Sequence, residues 1–318
     1  MKILFFKSIL IILGFLSLLH AEIFDTEIAP FSKGKQCGKV LLLDQKVLEF
    51  KKIDGVKFSE ISDLAYDAAK KILYMVGDEG KVFRFEATFG KKIEGLRPLD
   101  AVKLRKKHGK KFKKWDRDSE GLALDNTGRL YISFEGKAKI GSFDSKGSMI
   151  RSYPLPKKLR EPANYRSRNK SLEALAWHPK YGLLTATEWP LKHKKKKAQT
   201  IYSLRGKTWY FKAEPEFKSG VAAMEVMDDG NILLLERSYV SLLDPVVVTL
   251  KKVYLNQCKG KKKVCKSEVL VKMNNHKGWI IDNFEGLARV GKNHYVMVSD
   301  DNDNFFQQTV LVYFEVKE

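Results

Sequence analysis

The chain alternates short apolar runs with polar, turn-forming clusters, and one such alternation occurs five times. The copies are "SDLAYDAAKKILYMVGD" (residues 62–78), "DSEGLALDNTGRLYISFE" (118–135), "SLEALAWHPKYGLLTATE" (171–188), "GVAAMEVMDDGNILLLE" (220–236) and "NFEGLARVGKNHYVMVSD" (283–300). Each opens with small and apolar residues and turns through Asp, Asn, Gly, Lys or Pro. Each then continues in a run rich in the β-branched and aromatic residues that suit strands. Starts recur roughly every 50–60 residues. Two further strand-like runs stand between copies, such as "AKIGSFD" and "SMIRSYPL" after the second and "QTIYSLR" and "TWYFKAE" after the third. No long amphipathic helix interrupts them. Four strands per repeat at this period predict an all-β fold, a β-propeller of four-stranded blades. One such sheet cannot bury both faces alone, whereas radial stacking covers them; a β-sandwich leaves the returning motif unexplained.

The last copy supplies three strands, "FEGLARV", "YVMVSD" and "TVLVYFEV", and the run "KVLLLDQKVLEF" (39–50) precedes the first copy without a blade of its own. Ring closure follows as the economical expectation, with the N-terminal strand completing the last blade. The count of copies gives five blades, and a sixth, degenerate blade stays open. The expected organisation is a signal peptide over 1–21, a lead segment over 22–37 and a single propeller domain over 38–318.

The leader reading rests on "MKILFFKSILIILGFLSLLHA". Lys2 and Lys7 give a positive start, the apolar run 9–19 is short for a membrane span, and Ala21 suits cleavage. A periplasmic or secreted bacterial protein is the expectation, with no integral span after cleavage; an uncleaved N-terminal anchor is the alternative. Export permits a disulfide between Cys258 and Cys265, leaving Cys37 odd, and three cysteines with scattered histidines make no zinc site. The net charge is +21, gathered in "KLRKKHGKKFKK" (103–114), "KHKKKK" (192–197) and "KGKKKVCK" (259–266). Such runs are solvated loop tips or attract polyanions. Export and the lack of a nucleic-acid-binding motif set nucleic acid aside, leaving an anionic small molecule or envelope ligand as partner. The chain reads as a monomer.

Acids recur within the repeat. Asp63 and Asp78 are 15 positions apart, as are Glu120 and Glu135, Glu173 and Glu188, and Glu285 and Asp300; the same step back from Glu236 reaches Val221. Antiparallel neighbours place such pairs side by side at one end of a blade, so the repeat predicts carboxylates converging on one mouth of the central channel. Crowded carboxylates raise each other's pKa unless neutralised, and Ca2+, which takes roughly six to eight oxygens, does this well. Asp63, Glu120, Glu173 and Glu285 are the candidate metal ligands; Glu135, Glu188 and Asp300 are the candidate general bases. The simpler reading makes these acids acceptors of backbone N–H groups or partners of Arg237 or Arg289. Arg166, Arg168 and Lys170 in "NYRSRNKS", together with Arg237, are candidates for holding a substrate anion, and a Glu236–Arg237 ion pair is the alternative for the last. No "G-x-S-x-G" elbow is present, and Ser119, Ser171 and Ser219 read as strand-edge hydrogen-bonders.

The motifs "DSEGLA", "NKSLEALAW", "LLLERSY", "NFEGLA" and "VSDDNDNFFQQTVLVYFE" resemble, in order, the signatures of the phytase-like esterase domain family of exported bacterial proteins. The resemblance spans roughly residues 53–316. It implies a propeller and, by analogy with calcium-dependent propeller phytases, a Ca2+-dependent phosphomonoesterase or related esterase acting on an anionic ester at the channel mouth. The basic loops depart from the more acidic surroundings of those phytases. Two other readings accompany it: a non-catalytic propeller binding an anionic or envelope ligand, and a lactonase-like metal propeller.

Overall fold

The computed structural model describes residues 22–31, 34–239, 244–260 and 264–317; the leader expected over 1–21 lies outside them. The fold is a β-propeller. The first sheet holds Ile61–Asp67, Ile72–Gly77, Lys81–Phe89 and Ile93–Lys103; the second holds Ser119–Leu124, Leu130–Phe134, Lys139–Phe143 and Met149–Tyr153. The third holds Leu172–His178, Gly182–Thr187, Ala198–Ser203 and Thr208–Lys212. The fourth holds Gly220–Val226, Ile232–Ser238, Val247–Lys259 and Val264–Asn274. A single parallel pair, Tyr210 with Val264, joins the outer strands of the third and fourth sheets into one eight-stranded sheet.

The last sheet shows the expected closure. Asn283–Gly291, His294–Asp300 and Val310–Val316 are completed by Val40–Leu48, which pairs antiparallel with Val310–Val316 from Val40 opposite Val316 to Val47 opposite Val310. The lead segment adds Ile23–Asp25 outside that strand. Tying Val40–Leu48 into the final sheet closes the ring and covers the edge of Val310–Val316.

The inner strands explain the small residues that open each repeat. Ile61–Asp67 touches Ser119–Leu124, and contact passes on through Leu172–His178, Gly220–Val226 and Asn283–Gly291 back to Ile61–Asp67. The ring is tight: a Cβ on Gly121 would lie 2.6 Å from the Glu173 carbonyl oxygen, and one on Gly286 would lie 2.9 Å from the Asp63 Cα. Larger apolar side chains fill the wedges between sheets, as where Phe50, Phe58, Phe83 and Phe85 pack edge to face.

Every inner strand carries a β-bulge near its start, between Ile61 and Asp63, Ser119 and Leu122, Leu172 and Ala174, Val221 and Ala223, and Phe284 and Gly286. A bulge inserts one residue against its partner strand and re-aims the side chain there. The bulged positions are therefore Ser62, Glu120, Glu173, Ala222 and Glu285. Opposite them, the second strands deliver Asp78, Glu135, Glu188, Arg237 and Asp300 to the same end.

Candidate functional site

These positions converge on one mouth of the channel. A cavity of about 630 Å³ is lined by eight carboxylates, namely Glu120, Glu173 and Glu285 from the bulges, Asp78, Glu135, Glu188 and Asp300 from the second strands, and Asp118 from the approach to the second sheet. Three cations, Lys170, Lys218 and Arg237, face them, with amides that include Asn283 and Asn302. The fourth sheet breaks the ring of acids: Ala222 sits at its bulge, and Arg237 stands where the other sheets place a carboxylate.

Two groups of three acids stand out. Asp78, Asp118 and Glu120 form one; Glu135, Glu173 and Glu188 form the other. Within each group, one oxygen per residue lies within 4.8 Å of the others. Burial, reinforced by neighbouring acids, pushes Glu120 and Glu173 well above the usual carboxylate range. Burial and the charge of Glu285 raise Asp78 to about 7 and Asp300 to about 9. Glu135 rises to about 8, mainly by burial, although the Ser171 N–H donates to it at 3.0 Å. Burial raises Glu188 against the opposing pull of Arg237 and of Lys170, whose ammonium lies 2.5 Å away. Buried charge without enough counter-charge is costly. A set of oxygen donors in excess over the local cations fits a hard divalent ion.

The structure sets Asp63 apart from this site. One of its oxygens accepts the Leu64 and Leu287 N–H groups at 2.8 and 3.0 Å, and the other accepts Leu122 N–H at 2.7 Å. Asp63 thus ties three inner strands together as a backbone acceptor. The first and fourth copies are each displaced by one residue: Ser62 and Asp78 stand 16 positions apart, and in the fourth the step of 15 runs from Ala222 to Arg237 and not from Val221 to Glu236. The true equivalents of Glu120 are Ser62 and Ala222, because the bulge shifts the register there. Ser62 donates to Asp78 at 2.8 Å.

Glu285 lines the cavity but is ion-paired to Arg237, and Asn283 donates to it at 2.8 Å. Arg237 also bonds Asn283 and lies 3.9 Å from Glu188. The Glu236–Arg237 pair does not form: Glu236 pairs instead with the buried Lys251 at 3.0 Å. Glu135 and Glu188, expected as bases, share a cluster with Glu173. Asp300 stands outside both clusters, held by Asn302 N–H at 2.7 Å and the Asn283 amide at 3.3 Å.

Lys170 lines the cavity. Arg166 and Arg168 do not: Arg166 donates to the Pro190 and Lys194 carbonyls at 2.8 and 2.7 Å, bracing the loop beyond Glu188, and Arg168 is exposed outside the cavity. Ser119, Ser171 and Ser219 bond Gly77, Glu135 and Glu236 respectively, as strand-edge serines do. Lys218, Trp189 and Gln307 also line the cavity from loops, and nothing in the repeat marks them in the sequence.

The far mouth differs. A cavity of about 440 Å³ opens there, but Asp67 pairs with Lys70, Asp228 pairs with Arg289, and Glu225 accepts the Val226 and Arg289 N–H groups. Its acids are matched, so the channel has one chemically loaded end.

A family model described as "Phytase-like: Esterase-like activity of phytase" matches residues 56–303. The chain belongs to this phytase-like family. A search of the curated proteins found no match. Among solved structures, the PQQ-bound aldose sugar dehydrogenase of Streptomyces coelicolor is similar at 11% identity and a TM-score of 0.43, covering 93% of this chain and 99% of its own. A protein of unknown function from Bacteroides thetaiotaomicron is similar at 12% identity and a TM-score of 0.49, covering 92% of this chain and 72% of its own. Virginiamycin B lyase of Staphylococcus aureus is similar at 9% identity and a TM-score of 0.38, covering 92% and 99%. Among the described residues no helix is long and apolar enough to cross a membrane.

Proposed function

We propose that this phytase-like protein is an exported, Ca2+-dependent hydrolase of anionic esters, phosphomonoesters foremost, with its centre in the acidic mouth. The observation that carries this reading is the pair of three-acid clusters at the channel mouth, within each of which the ligand oxygens lie within 4.8 Å of one another. Asp78, Asp118 and Glu120 would hold one ion, and Glu135, Glu173 and Glu188 a second. A bound Ca2+ supplies Lewis-acid polarisation of a phosphoryl or acyl oxygen.

The chain's own groups take the remaining roles. Asp300, at about 9, carries a proton at neutral pH. It is therefore the candidate general acid for the leaving oxygen, where the sequence reading had it as a base. Asn283 and Asn302 fix its orientation. Arg237 holds Glu285, Lys170 holds Glu188, and both bring positive charge to a cavity meant for an anion. The disulfide between Cys258 and Cys265 agrees with an oxidising compartment.

A substrate panel tests this reading. Phosphomonoester, acyl-ester and lactone substrates are assayed with Ca2+, with chelator, and with Ca2+ restored. The proposal expects phosphomonoester turnover that chelator abolishes and Ca2+ restores. Lactone turnover alone would favour the lactonase-like reading, and no turnover of any class would favour the non-catalytic one.

A further inference from the structure

The loops around the acidic mouth have a second character that the cavity does not use. The exposed aromatic side chains among the described residues are Trp115, Phe217, Tyr239, Phe305 and Phe306, with Phe24 and Phe31 of the lead segment. The first five all belong to this mouth. Phe305 and Phe306, 95% and 88% exposed, stand between Asn304 and Gln307, which line the cavity. Phe217 precedes the lining Lys218, Tyr239 lines the cavity itself, and Trp115 lies on the approach to the lining Asp118. Exposed lysines stand beside them. Chain direction puts both the 104–118 connector and the 188–197 loop at this mouth, and no lysine of 107–114 or 192–197 enters an ion pair among the described residues.

We propose that this mouth docks on an anionic lipid bilayer, with the aromatic tips entering the headgroup–acyl boundary and the lysines meeting lipid phosphates. The physics favours a bilayer over a soluble polyanion. Phe has no polar tip with which to bond a sugar or a phosphate, and an edge-on Phe pair at 95% and 88% exposure exists at a cost in water that only an apolar phase repays. Aromatic residues concentrate at membrane interfaces, and unpaired lysines add attraction to anionic headgroups. Docking in this orientation presents the cavity to the headgroup layer. The inference stands whether or not the acids bind Ca2+, because its determinants are rim residues outside both clusters.

The test is co-sedimentation of the purified protein with phosphatidylglycerol–phosphatidylcholine vesicles and with pure phosphatidylcholine vesicles, all in chelator. Binding is expected to the anionic vesicles, falling about tenfold between 0.1 and 0.5 M salt as lysine attraction is screened. The double variant Phe305→Ser/Phe306→Ser should partition about fivefold less at unchanged melting temperature. Since both proteins share one N terminus, any contribution from residues 1–21 cancels. Equal binding to both vesicle types overturns the proposal. So does anionic-vesicle binding that the double variant leaves intact and soluble dextran sulfate competes away, which would mark general polyanion attraction.

Discussion

Asp63 and Glu173 show how much a single residue's placement decides. Both are buried acids at the start of an inner strand. Asp63 spends its oxygens on three backbone N–H groups from three strands, while Glu173 meets two other carboxylates. Asp63→Ala strands those donors in the core and should cost about 3 kcal/mol or more, read as a lower urea midpoint. Among molecules that stay folded it should leave the cation response unchanged. Glu173→Gln should do the reverse, removing the share of the Ca2+-induced rise in melting temperature that the Glu135, Glu173 and Glu188 cluster contributes. Glu285→Gln should lose little of that rise, because its carboxylate answers Arg237; equal losses in the two variants would contradict the assignment of clusters. The identity of the acids was legible in the sequence, since Glu120, Glu173 and Glu285 share one frame. Their partners were not: an ion pair such as Arg237–Glu285 spans 48 positions and depends on how the fourth and fifth sheets face each other.

At the scale of the element, the bulge is the device that makes the site. It turns Glu120, Glu173 and Glu285 toward the channel mouth and lets their neighbours pack against the next inner strand. That neighbour is Gly121 or Gly286 where space is least. Gly121→Ala would bring a methyl to 2.6 Å from the Leu175 nitrogen, a backbone atom that cannot swing aside. It should destabilise the protein by about 1–3 kcal/mol without removing any acid, measured by denaturant unfolding. Strands, turns and the closing N-terminal strand were readable because alternation and turn residues are local. The bulges were hidden because a step of 15 fits four copies and becomes 16 in the first, and because the acid Glu236 stands one residue before Arg237, which takes the equivalent place in the fourth.

The whole molecule gathers charge of opposite sign at one end, a carboxylate floor inside a lysine rim, on a chain whose net charge is +21. The floor carries a pH signature. Asp78, Glu135 and Asp300 sit at about 7, 8 and 9 in the folded state, above their unfolded values. The folded protein therefore holds more protons than the unfolded chain between about pH 4 and pH 9, and these groups make stability fall as pH rises through that window. Lys139, lowered to about 8 by burial, opposes the trend only above that pH. Ca2+ would replace the protons of Asp78 and Glu135, the two of these that belong to clusters, so the gap in melting temperature between Ca2+ and chelator should be small at pH 5.5 and widen steadily to pH 8. A gap that stays constant across the range would separate the raised carboxyls from any cation site.

The most direct test of the central claim, that the acidic mouth is a divalent-cation centre, is titration calorimetry of Ca2+ into the wild-type protein at pH 7 in two buffers of different ionisation heat. Saturable binding is expected, with an apparent heat that differs between the buffers because carboxyls that hold protons in the free protein must release them to the cation, and Glu173→Gln should remove the ion assigned to Glu135, Glu173 and Glu188 and so lower the stoichiometry. An absence of saturable binding, or the same isotherm in the folded variant, would contradict the claim.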